Sequence, residues 1–118
     1  MDFVAFVGED KENWGQITAL MSRLECEKVI LVKNKNVVGF PDNEKTKSIE
    51  VDTSKSLSDV KNEILSKIKN EIGNEFDVSL SLASGSGKEH MALLAALLNV
   101  PVGVRLVIYT KSGIEFIS

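Results

Sequence analysis

The residues best suited to chemistry lie in one run, Ser84-Gly85-Ser86-Gly87-Lys88, with His90 two positions on. A glycine pair flanked by serines at a strand-to-helix turn lets the backbone bend tightly and approach a ligand, while the first amides of the helix point outward unpaired. Such a turn favours an anion. Lys88 places a full positive charge in the first helical turn, where it opposes the helix dipole by about 0.3–1 kcal/mol. An anionic ligand is one reason for a lysine there, and simple solvation is the other. Ser84 and Ser86 offer hydroxyls to a phosphate, a ribose or a base, yet a serine before a helix also serves as a plain N-cap.

Two familiar phosphate-binding patterns are absent. A P-loop requires a glycine five positions before the Gly-Lys pair and a hydroxyl residue after it, but Leu82 and Glu89 stand there. Nucleoside triphosphate hydrolysis is therefore disfavoured. The dinucleotide fingerprint would need a third glycine where His90 stands, and the turn falls in a late strand–helix unit rather than the first.

The elements that must position this turn follow from the spacing of apolar residues. Phe3 to Val7 is a short continuous apolar run ending at Gly8, which suits a strand covered on both faces. Trp14, Ile17, Leu20, Met21 and Leu24 then recur at helical spacing, and Val29 to Val32 is the next strand. The polar stretch from Lys33 to Lys47 is read as a loop, with Val37-Val38 as its only candidate extended piece. Ile49 and Val51 alternate with polar neighbours, as in an edge strand. Ser56 with Asp59 three residues on is an N-cap signature opening a helix that carries Leu57, Val60, Ile64, Leu65, Ile68 and Ile72, with Gly73 as its expected C-cap. Phe76, Val78, Leu80 and Leu82 form a strand, and a helix from Gly87 to Leu98 stops at Asn99 and Pro101. Val102 to Tyr109 is a strand that turns through Thr110-Lys111-Ser112-Gly113 into a last strand, Ile114 to Ile117.

This order predicts an α/β fold with a Rossmann-like, mostly parallel sheet, helices on both faces and a C-terminal hairpin. In such sheets ligands lie beyond the carboxyl ends of the strands. Two loops reach that place: Gly8 to Asn13 after the first strand and Ser84 to His90 after the Phe76 strand.

Composition narrows the partners. At 118 residues, 43% hydrophobic and with two prolines, residues 1–118 are read as one folded domain. The net charge of −3 argues against a surface that holds nucleic acid through its backbone, so an anionic ligand needs a local site and no direct DNA binding is expected. A single cysteine, Cys26, and a single histidine offer neither an internal disulfide nor a zinc site, and no metal or cofactor is expected. The longest apolar stretch, Met91 to Leu98, is too short to cross a bilayer, and a cytoplasmic location is expected. Trp14 is either core or a platform for a base. Arg105, inside an apolar strand, either pairs with a carboxylate at a sheet edge or reaches a subunit interface.

The run Leu80-Ser81-Leu82-Ala83-Ser84-Gly85-Ser86-Gly87-Lys88-Glu89-His90-Met91, followed by Ala92, Leu93, Ala95 and Ala96, resembles the signature of CARF domains, the CRISPR-associated Rossmann-fold sensors. In these a strand leads into a Gly-Gly-Thr-Lys-like turn and a small-residue, apolar helix bearing a methionine. The order of elements agrees through most of the chain, including the hairpin. Here Ser86-Gly87 replaces the usual Gly-Thr, and Glu89-His90 follows the lysine.

The resemblance implies a homodimer that binds a cyclic oligoadenylate or a related nucleotide. Ser84, Gly85, Ser86, Gly87 and Lys88 would hold ribose and phosphate, and Gly8, Glu9, Asp10 and Lys11 would form the opposite wall. Most such proteins couple the sensor to a nuclease or DNA-binding domain, and no such domain is read in the residues up to Ser118. The first reading is thus a ligand-binding sensor, and the second is a metal-independent ring nuclease. In the latter Lys88 would stabilise transition-state charge and His90 would act as acid or base. A structural or protein-interaction domain with an empty site is the third.

Overall fold

A computed structural model describes residues 1–72 and 76–118, so the expected cap at Gly73 lies outside the described residues. The strands are β1 (Asp2–Val7), β2 (Val29–Asn34), β3 (Thr46–Val51), β4 (Asp77–Ser81), β5 (Gly103–Thr110) and β6 (Gly113–Phe116). The helices are α1 (Trp14–Arg23), preceded by a 3-10 turn at Lys11–Asn13, α2 (Leu57–Ile72) and α3 (Gly87–Leu98). The strands form one sheet in the order β3-β2-β1-β4-β5-β6, parallel except for the closing β5–β6 hairpin.

β1 is central and every one of its residues is buried, which is why its sequence is continuously apolar. Val4 and Phe6 face one core with Val60, Ile64 and Ile68 of α2 and Leu93 and Leu97 of α3. Phe3, Ala5 and Val7 face the other, with Ile17, Leu20 and Met21 of α1. Burying a side chain such as Phe3 or Phe6 stabilises the fold by about 1.5–3 kcal/mol each.

The chain winds outward from β1 through β2 to β3, then returns along α2 to lay β4 on the other side of β1. Right-handed crossovers taken in opposite directions put α1 on one face and α2 and α3 on the other. The β2–β3 connection has no helix. Its loop covers the α1 face instead: Val37 is buried there and Phe40 meets Trp14 edge to face at 5.2 Å between ring centroids. Val37-Val38 is not a strand.

Local signals behave as their chemistry requires. Ser56 Oγ accepts the Asp59 amide at 3.2 Å, and Val60, Ile64, Ile68 and Ile72 of α2 are buried at i, i+4 spacing. β3 is an edge strand with only Ile49 and Val51 buried. Phe76 is 96% exposed and precedes β4 rather than joining its buried face. Arg105 lies over the Phe116 ring at 4.2 Å, a cation–π contact within the hairpin. Cys26 is buried, and burial pushes its thiol pKa up. Among the described residues no helix is long and apolar enough to cross a membrane.

Candidate functional site

The strand order reverses between β1 and β4, and in open α/β sheets ligands bind beyond the carboxyl ends of the strands at such a point. A cavity of about 350 Å³ lies there, lined by Gly8, Glu9 and Asp10 after β1, Asn34 and Val37 after β2, Thr53 after β3, and Gly85, Ser86 and Glu89 after β4. Four strand-to-helix or strand-to-loop ends therefore build one site. A smaller cavity of about 240 Å³ adjoins it through Glu9 and Val37 and is lined further by Lys11, Trp14, Asn36 and Val38.

The two central loops are locked together. Ser84, fully buried, accepts the Gly8 amide at 2.8 Å and donates its hydroxyl to Asp10 Oδ1 at 2.6 Å. The Gly85 amide donates to the Asp10 carboxylate at 3.1 and 3.3 Å, and Asn13 Nδ2 donates to it at 2.8 Å. Gly85 adopts φ +103°, and a Cβ there would meet Phe6 at 2.8 Å, so only glycine fits. A Cβ at Gly8 would lie 2.8 Å from Gly85 Cα, so the Gly85 backbone leaves no room for a side chain there. Burial tends to raise the Asp10 pKa, but the hydrogen bonds from Ser84, Asn13 and the Gly85 amide outweigh it, and the carboxyl lies below the usual aspartate value.

A capping box starts α3. Ser86 Oγ accepts the Glu89 amide at 3.3 Å, and Glu89 Oε1 accepts the Ser86 amide at 2.7 Å. The amides of Gly85 and Ser86, which a ligand anion would use, are thus held by two carboxylates of the chain itself. With Glu9 the described residues of the lining include three carboxylates and neither a lysine nor an arginine. The cavity accepts hydrogen bonds more readily than it attracts negative charge.

The residues picked out by sequence fall into distinct places. Gly8, Glu9, Asp10, Gly85 and Ser86 come together around the cavity, and Ser84 stands behind them as the link. Lys11 borders the smaller cavity, with its ammonium 5.7 Å from the Trp14 ring. Gly87 opens α3 and is not in the lining. Lys88 Nζ turns to the β3–α2 loop, where it donates to the Thr53 carbonyl at 3.0 Å and to that of Lys55. His90 Nε2 is 2.7 Å from the Ser84 carbonyl oxygen and steadies the turn from behind. Trp14 is half-buried and donates Nε1–H to the Gly8 carbonyl at 2.9 Å, so it braces the first loop.

Asn34, Val37 and Thr53 also line the cavity and lie outside the two loops picked out from the sequence, while Glu89 lies within the Ser84 to His90 loop without having been given a role. Asn34 closes β2 and Thr53 follows the end of β3, so a position just past the carboxyl end of a parallel strand was the available signal. Among the described residues no group of three or more His, Cys, Asp or Glu is placed to hold a metal ion. No protein-family model matches the chain, and no curated protein matches it.

Proposed function

We propose that the chain is a CARF-like nucleotide-sensing domain with a Rossmann-like fold, which binds a cyclic oligoadenylate at the crevice between β1 and β4. One observation carries this reading: the Gly/Ser turn that resembles the CARF signature meets the loop after β1 at the reversal of strand order, around a cavity of about 350 Å³. The chemistry of the lining says which part of a nucleotide it suits. Carboxylates of Glu9 and Glu89 accept hydrogen bonds from ribose hydroxyls or an exocyclic amine, as acidic residues do for ribose in dinucleotide sites. Lys11, in the adjoining cavity, supplies the cation for a phosphate. The exposed Met91 and Leu98 of α3 are the apolar surface on which a second copy would complete the homodimer.

Calorimetric titration with cyclic tetra-adenylate and cyclic hexa-adenylate, followed by chromatography of the ligand, tests the proposal. Binding of one ring per two chains, weakened about tenfold or more in a Glu9→Gln variant, is the expected result. Absence of binding to both rings overturns it. Linear products after binding would make the protein a ring nuclease, and an unchanged product rate in His90→Ala would remove His90 from that chemistry.

A further inference from the structure

We propose that Glu63 and Lys67 of α2 form a guard that keeps the open edge of β3 from pairing with a strand of a second copy of this chain. β3 is the first strand of the sheet order and, among the described residues, has a strand neighbour on one side only. An exposed edge of this kind is a template for strand addition unless something blunts it.

Alternation along a parallel strand decides which groups face outward. The Lys45 carbonyl accepts the Val29 amide at 3.0 Å and the Val51 carbonyl accepts the Lys35 amide at 3.1 Å, so positions 45 and 51 turn inward to β2. Thr46, Ser48, Glu50 and Asp52 are therefore the outward positions. Three of them are met from within the chain. The Thr46 amide donates to the Asn43 carbonyl at 3.1 Å. Lys67 Nζ donates to the Glu50 carbonyl at 2.7 Å, and Glu63 Oε1 accepts the Asp52 amide at 3.2 Å.

Glu63 and Lys67 stand one helical turn apart and are themselves joined at 3.2 Å, so one occupies an edge acceptor while the other occupies an edge donor. Lys55 lies 3.8 Å from Glu63 on its other side. What remains between the closed ends is the Thr46 carbonyl, the amide and carbonyl of Ser48 and the Glu50 amide, facing a groove of about 460 Å³ bordered by Lys47, Lys67, Asn70 and Glu71. Lys67 and Glu63 thus end the open stretch at Glu50, so an added strand has only the groups from Thr46 to Glu50 and cannot continue along the carboxyl end of β3. This inference does not depend on the ligand at the other site.

The test is the mass, by light scattering over a range of concentrations, of a Glu63→Ala/Lys67→Ala double variant beside the parental protein. The expected result is a concentration-dependent doubling of the parental mass, and a return to the parental mass when Ser48→Pro removes the outward amide. An unchanged mass in the double variant overturns the proposal, as does a doubled mass that survives Ser48→Pro. Should circular dichroism show the double variant unfolded, Lys67→Met, which keeps the apolar stem and removes the donor, undergoes the same measurement; an unchanged mass then overturns the proposal.

Discussion

Asp10 illustrates how one side chain reorganises an apparent anion site. It lines the cavity and also reaches across to the Ser84 hydroxyl and the Gly85 amide. Because its folded-state pKa lies below that of the unfolded chain, the native protein binds fewer protons there in acid. The stabilisation is complete above the unfolded value and is lost as pH falls through the lower folded value. Urea unfolding of the parental and Asp10→Asn proteins should therefore differ most near neutral pH and converge in acid. A difference independent of pH would show that the charge is not what the two donors hold. Ser84→Ala removes both the acceptor for the Gly8 amide and the donor to Asp10 in a buried place, and should cost about 1–3 kcal/mol in the same measurement.

The turn before α3 is at once a cap and the wall of a cavity, and substitutions separate the two roles. Ser86→Ala breaks the capping box, with an expected loss of about 0.5–2 kcal/mol in thermal or urea unfolding. Lys88→Ala should leave that stability nearly unchanged, since the side chain is exposed and ends on a neighbouring loop rather than in the core. Its expected effect is local: faster amide exchange in the β3–α2 loop that Lys88 tethers. Exchange at the parental rate would return Lys88 to the role of a ligand contact or a solvated charge.

Across the whole molecule, the Ala- and Leu-rich helix divides its labour. Ala92, Leu93, Ala96 and Leu97 fill the core with α2, while Met91 and Leu98 stay 60% and 71% exposed. If the outer residues form the seam of a homodimer, Leu98→Glu should halve the mass seen by light scattering without lowering the melting temperature of the chain itself. A parental mass equal to one chain would remove the dimer from the proposed function.

Periodicity made most of the fold legible in the sequence. The continuous apolarity of Phe3 to Val7 marked the central strand, the i, i+4 isoleucines of α2 marked an amphipathic helix, and Ser56 and Asp59 marked its start, because these signals are local and each residue reports its own neighbours. The glycine turn after β4 and the loop after β1 could be named for the same reason. Their joining was decided by tertiary structure. Strand order brought residues separated by 74 positions, Asp10 and Ser84, within 2.6 Å, and no spacing rule spans such a gap. It also drew Asn34 and Thr53 into the cavity from loops that carry no motif. Most of all it settled the charge of the site, since which carboxylates face a cavity and where a flexible lysine ends depend on which loops the sheet places side by side.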